Sequence, residues 1–173
     1  IGEGGIGKTA LAQRCLYDIL ELCESQPEDN RIFDMILWVS LKTNRLTQSG
    51  AVNIKNAITN SSEMFKDIHK NLAMDIEGSL DDILKEILEY LETFKILLCI
   101  DNLETISSSE VRDFLSQIPN NSKVVITTRM GLGEIEYRFK LDKLNDKDSI
   151  ELLRHMAKLL NISSLLKKNT EAL

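Results

Sequence analysis

The sequence has no long apolar run: none of its hydrophobic stretches approaches the ~20 residues a helix needs to cross a bilayer, so no helical membrane span is expected. It has no basic excess either. Lys and Arg number 21 against 27 Asp and Glu, a formal net charge of −6, and such a chain is poorly supplied to neutralise a nucleic-acid backbone. The three cysteines, Cys15, Cys23 and Cys99, form no C-x-x-C pair and read as ordinary thiols of a reducing cytosol. His69 and His155 have no His, Cys or paired acid at ligand spacing, so both are expected at the surface or its boundary rather than on a metal. There is no initiator Met and only Ile1 precedes the first motif, so the chain reads as a piece of a longer one, with no room for a signal peptide. What remains is ordinary for a chain that buries a core: 173 residues, 43% hydrophobic, enough for one α/β domain and the start of another.

What is there begins at once. Gly2-Glu3-Gly4-Gly5-Ile6-Gly7-Lys8-Thr9 is a complete match to G-x-x-x-x-G-K-[ST], running straight into a stretch with helical periodicity. Glycines let the backbone curl so that successive N–H groups face phosphate oxygens, and the following helix points the positive end of its dipole at the same anion. Nucleotide contacts are therefore expected from Gly2, Gly4, Gly5, Ile6, Gly7, Lys8, Thr9 and Ala10. Lys8 would reach the β- and γ-phosphates, and Thr9 would ligate Mg²⁺. In such folds the loop follows a buried strand, and that strand is missing here.

Strand and helix patterns then alternate. Lys8 to Leu22 carries a helical stripe of Leu11, Ala12, Leu16, Ile19 and Leu20, ended by Gln26-Pro27-Glu28-Asp29-Asn30. Met35-Ile36-Leu37-Trp38-Val39 reads as a strand covered on both faces, with Trp38 packed between sheet and helix. Residues 42–78 are polar, rich in Asn and Ser, with only local helical stripes. From Ser79 the pattern is clear: Leu80, Ile83, Leu84, Ile87, Leu88 and Leu91 follow helical spacing, and Ser79 with Asp82 approximates a capping box. Ile96 to Ile100 is a second apolar run, stopping at Asp101. A helix from about Ser109 to Gln117 and a turn at Pro119-Asn120-Asn121 lead to a third strand, Lys123 to Thr127. Ile135, Tyr137, Phe139 and Leu141 alternate with charged residues and suggest an edge strand. Asn145-Asp146 starts a last helix. The alternation predicts a three-layer α/β sandwich.

Asp101 is the natural second half of the site, because a carboxylate at the carboxyl end of a buried strand lies where ligands bind in open α/β sheets. It would hold Mg²⁺, directly or through water, completing what Thr9 begins. Asn102 follows where many hydrolytic relatives carry a second acid. Glu104 is the next carboxylate and could substitute for it, or be a solvated loop residue. Thr127-Thr128-Arg129 ends the next strand on the same edge, and Arg129 could reach the γ-phosphate and report its presence; its plainer reading is a surface arginine.

The loop, Leu37-Trp38-Val39-Ser40, Leu97-Leu98-Cys99-Ile100-Asp101-Asn102-Leu103-Glu104 and Val124-Val125-Ile126-Thr127-Thr128-Arg129 occur in an order that resembles the NB-ARC nucleotide-binding domain of the signal-transducing ATPases with numerous domains (STAND). The resemblance implies a P-loop NTPase sandwich over residues 1–144, its first strand truncated, and the start of a small helical domain over 145–173. It implies a cytoplasmic switch with ATP or ADP and Mg²⁺ as ligands: ADP-bound at rest, ATP-bound when active, hydrolysing slowly. It further implies self-assembly of the full-length protein on activation, with sensor and effector domains outside these residues in a signalling or defence protein. Catalytic positions carried over are Lys8, Asp101, Glu104 and Arg129. The family's sheet would place the strand ending in Thr128-Arg129 beside the loop strand, so this stretch alone is expected to be unstable. Asn102 departs from the usual acid and puts efficient hydrolysis in doubt. The sequence stops before the family's Gly-Leu-Pro segment and winged-helix histidine.

Rival classes fit less well. Asp101-Asn102-Leu103-Glu104 lacks the D-x-x-G glycine of GTPases, and Asn145-Asp146-Lys147-Asp148 is not N-K-x-D. A transporter ATPase should carry signature glycines on the helix before the acidic strand, and Ser79 to Leu91 has none. A turning-over AAA-like ATPase or a P-loop kinase remains the alternative to the switch.

Overall fold

Period-two alternation builds the centre of the molecule. A computed structural model of the protein describes residues 1–47, 50–72, 78–106, 108–133 and 136–162. Its strands are β1 (Met35–Ser40), β2 (Asn44–Thr47), β3 (Gly50–Asn53), β4 (Ile96–Asp101) and β5 (Lys123–Thr127). Its α-helices are α1 (Lys8–Glu24), α2 (Ser61–Asn71), α3 (Leu80–Thr93), α4 (Ser109–Ser116) and α5 (Asp146–Leu159). β1, β4 and β5 form a parallel sheet in the order β1-β4-β5, with Ser40 opposite Asp101 and Asp101 opposite Thr127. All six residues of β4 are buried, as a continuous apolar run in a central parallel strand requires.

Alternate residues of β4 serve different layers. Ile96, Leu98 and Ile100 join Leu37 and Val39 of β1 in a core covered by Met64, Phe65 and Ile68 of α2, Ile83, Ile87 and Leu91 of α3, and Val111 and Phe114 of α4. Leu97 and Cys99 belong to a second cluster with Ala12 and Leu16 of α1, which Trp38 flanks. Helices therefore cover both faces, giving the three-layer α/β sandwich the alternation predicts. The helix starts follow local chemistry: Ser79 accepts from the Asp82 N–H while Asp82 accepts from the Ser79 N–H, a complete capping box. Asn60, Ser108 and Asn145 cap α2, α4 and α5 in the same way through their side-chain oxygens.

Two stretches and one residue bear on the sequence reading. In the polar stretch 42–78, the local helical stripe Met64, Phe65, Ile68 and Leu72 is the buried face of α2 and its C-cap, whereas the antiparallel hairpin of β2 with β3 gave no such signal. Residues 136–140 form no strand, although Tyr137 and Phe139 alternate with charged residues; Ile135 lies outside the described residues. Alternation alone makes no strand without a ladder partner, and among the described residues no strand pairs with 136–140. His69, expected at the surface or its boundary, is fully buried in α2, because its ring Nε2 finds Glu86 Oε2 of α3 at 2.6 Å.

Two compact units are present, Ile1–Lys140 and Leu141–Leu173, the second holding α5. Among the described residues no helix is long and apolar enough to cross a membrane, and no cluster of His, Cys, Asp or Glu could hold a metal by itself.

Candidate functional site

The phosphate-binding loop leads directly into α1. Gly7 is the residue before the helix and has φ 99°, in the left-handed region where a side chain is strained; Gly5 has φ 79°. No side chain caps α1, so the N–H groups of its first turn, including those of Lys8, Thr9 and Ala10, are not claimed by a capping residue. Ile6 is half-buried between the two left-handed glycines. Lys8 turns back over the loop, donating from Nζ to the carbonyls of Gly2 and Glu3, each at 2.7 Å.

Asp101 stands at the tip of β4, 1% exposed. Its Oδ1 accepts from the Thr9 hydroxyl at 2.7 Å and from the Thr127 hydroxyl at 2.6 Å. The loop, the central strand and β5 thus converge on one carboxylate oxygen. The other oxygen, Oδ2, is buried without a hydrogen-bond partner. The Lys42 ammonium lies 3.2 Å from it as an ion pair, and donates to Thr9 Oγ1 at 3.1 Å. Burial first, and then the charge of Asp101, push the neighbouring Cys99 thiol up to about 12, so it is a neutral core residue and not a nucleophile.

A hydroxyl and a carboxylate in contact, with a buried carboxylate oxygen short of a hydrogen bond, are the hard oxygen donors that suit Mg²⁺. The side chains present therefore fit the divalent ion that accompanies a nucleoside triphosphate.

Arg129 and Glu104 occupy the same carboxyl edge. Glu104, on a short 3₁₀ turn from Leu103 to Thr105, takes Arg129 Nε at 3.0 Å on Oε1 and the Arg129 backbone N–H at 3.3 Å on Oε2. The guanidinium reaches over the loop: a Cβ built on Gly4 would lie 3.2 Å from Arg129 Cζ. Asn102 adopts φ 71° and donates from Nδ2 to Thr105 Oγ1 at 2.8 Å, so its amide serves the turn. Asn is among the side chains that best tolerate this conformation.

Every site residue expected from the sequence thus lies on the loop, in the first turn of α1, or at or just past the carboxyl end of the parallel strands. Sequence reasoning missed Thr127 as an Asp101 ligand, and it missed Lys42. The signal for Lys42 was its place: two residues beyond the β1 tip, whose Ser40 faces Asp101 in register.

The family model of the NB-ARC domain matches residues 1–161, most of the chain. No match is found among curated proteins. NB-ARC domains are P-loop NTPase domains that bind nucleotide and act as regulatory switches.

Proposed function

The chain belongs to the NB-ARC family, and from that premise we propose that it is an adenine-nucleotide switch, ADP-bound at rest and ATP-bound when active, with slow hydrolysis. The observation that carries this reading is the 2.7 Å contact between Thr9 and Asp101, which joins the phosphate loop to the acidic strand, with Arg129 lying over Gly4 of the same loop. In this reading residues 1–144 are the nucleotide domain and 145–173 begin a helical neighbour. Gly2, Gly4, Gly5, Ile6, Gly7 and Ala10 supply backbone groups to the phosphates. Lys8 exchanges its two loop carbonyls for phosphate oxygens, to which an ammonium binds more strongly than to neutral carbonyls. Thr9 and Asp101 hold Mg²⁺, which neutralises phosphate charge when bound. Arg129 leaves Glu104 to pair with the γ-phosphate, so only the triphosphate engages it.

One feature favours slow turnover: Asn102 has no carboxylate to orient water and spends its amide on Thr105. Adenine is favoured over guanine because the guanine-reading motif is missing from the expected place. A cytoplasmic setting, self-assembly on activation and attached sensor and effector domains follow from the family and belong to this proposal.

The test is a single desalting experiment with the full-length protein and a stoichiometric amount of labelled ATP. Label retained on the protein as ADP, with very slow multiple turnover, is the expected result. Rapid release with sustained turnover would replace the switch by an AAA-like ATPase, and transfer of label to an added alcohol or nucleoside by a kinase.

A further inference from the structure

Among the described residues, Lys42 is the cation placed against the buried face of Asp101, and the fold fixes it there. Leu41, fully buried, donates its backbone N–H to Asp101 O at 2.9 Å, extending the β1–β4 pairing by one residue and delivering the next side chain to the carboxylate. From that anchor Lys42 Nζ meets both Asp101 Oδ2, at 3.2 Å, and Thr9 Oγ1, at 3.1 Å. The Thr9 hydroxyl gives its proton to Asp101 Oδ1, so its oxygen is left as an acceptor, and Lys42 already takes one of its two lone pairs. Ammonium and divalent ion therefore claim the same two side chains.

We propose that Lys42 is a built-in competitor of the divalent cation: its ammonium neutralises Asp101 while no metal is bound and must withdraw for the metal to be held by Thr9 and Asp101. The inference rests on the nucleotide-switch reading and deepens it, because it makes metal retention, and with it tight nucleotide retention, depend on where one lysine points. Lys42 is about two-fifths exposed, so its head can move to solvent without unpacking the core, whereas Asp101 cannot. A lysine suits this role, since its flexible stem carries a point charge in and out of the site.

The experiment is a Mn²⁺ titration followed by electron paramagnetic resonance on the intact protein with ADP bound, comparing wild type, Lys42→Met and Lys42→Arg. Removing the competitor is expected to tighten Mn²⁺ binding about tenfold in Lys42→Met, while Lys42→Arg, which keeps the charge, stays near wild type. A gain of affinity is not an effect that damaged folding produces. The second arm is thermal melting without nucleotide or metal. Lys42→Met should melt several degrees lower than wild type, because a buried carboxylate loses its counter-charge, and the same change in an Asp101→Asn background should cost nothing. Unchanged or weaker Mn²⁺ binding by Lys42→Met, or an equal melting cost in both backgrounds, overturns the proposal. A wild-type protein that binds no ADP refutes the switch reading instead, and the melting cycle then decides the Lys42 pairing by itself.

Discussion

Arg129 is held by Glu104, its Nε 3.0 Å from Glu104 Oε1, while the two side chains differ in burial: 62% exposed for the arginine and 14% for the glutamate. The carboxylate is the fixed half of the pair and the guanidinium the half that can swing. In the proposed switch this pair sets how readily Arg129 reaches the γ-phosphate. Arg129→Ala should weaken ATP binding by about 10- to 100-fold, the worth of a charge-assisted hydrogen bond, and leave ADP affinity unchanged. Glu104→Gln should shift the affinity ratio toward ATP, since the arginine is no longer restrained. Competition of ATP and ADP for a fluorescent nucleotide measures both. Equal loss of ATP and ADP affinity in Arg129→Ala removes the sensing role, and a fall in hydrolysis with an unchanged ratio in Glu104→Gln would make Glu104 a base.

Gly4 and Gly7 separate two reasons for glycine in one loop. A methyl on Gly4 would stand 3.2 Å from the Arg129 guanidinium, a flexible tip that gives way by a few tenths of an ångström. At Gly7 nothing lies within 4 Å, but φ is 99°, which strains any L side chain by about 1–2 kcal/mol. Gly4→Ala should therefore retain ADP binding and alter only the ATP-to-ADP ratio. Gly7→Ala should lose affinity for both nucleotides, since the loop relaxes away from the turn that aims its N–H groups. Isothermal titration with each nucleotide checks the contrast; equal losses in the two variants would mean that crowding, not backbone conformation, governs the loop.

These residues also mark how far the sequence could be read. β5 spans the residues its apolar run suggested, and Ser79 with Asp82 makes the capping box their spacing suggested, because both signals are local. Asp101 was legible for the same reason: an apolar run that stops at an acid marks a strand end. Lys42 was not, although it too follows an apolar run, because its meaning depends on the register that sets Ser40 against Asp101. The hairpin of β2 and β3 was hidden in a polar stretch: Ala51, Val52 and Asn53 of β3 are exposed, so no buried face imposes a period on them. His69 was misjudged because its partner, Glu86, is on another helix, and no spacing rule reaches across α2 and α3. Conversely the alternation through Tyr137 and Phe139 was a real pattern without a strand, since Tyr137 is 98% exposed and covers nothing.

Glu86 and His69 should respond asymmetrically to substitution. His69 is fully buried and its Nδ1 already lacks a partner, whereas Glu86 is half exposed and can be hydrated. Glu86→Ala would leave both ring nitrogens buried and unpaired, and is expected to cost about 1–3 kcal/mol. His69→Met fills similar volume, removes the orphaned nitrogen and returns the Glu86 carboxylate to water, so it should be neutral or mildly stabilising. Urea unfolding of the two variants tests this at constant pH. A His69→Met variant destabilised more than Glu86→Ala would show that the pair holds α2 to α3 in a way packing cannot replace.

Cys99 carries a pH dependence whose sign follows from its surroundings. Burial, and then the nearby Asp101 charge, raise its thiol from the ordinary 9.0 to about 12, so the folded chain keeps it neutral where an unfolded chain ionises it. The resulting stabilisation is complete below about pH 9 and is lost as the pH rises from there toward 12. Cys99→Ala removes this titration, so the stability gap between wild type and variant should narrow steadily above pH 9, whatever its size at neutral pH. The same burial predicts reactivity: at pH 8 a thiol reagent should label exposed Cys15 quickly and reach Cys23 and Cys99 only on unfolding. Labelling of Cys99 at the rate of Cys15, followed by peptide mapping, would mean that the α1 layer opens from the sheet far more often than its packing against Leu97 and Cys99 implies.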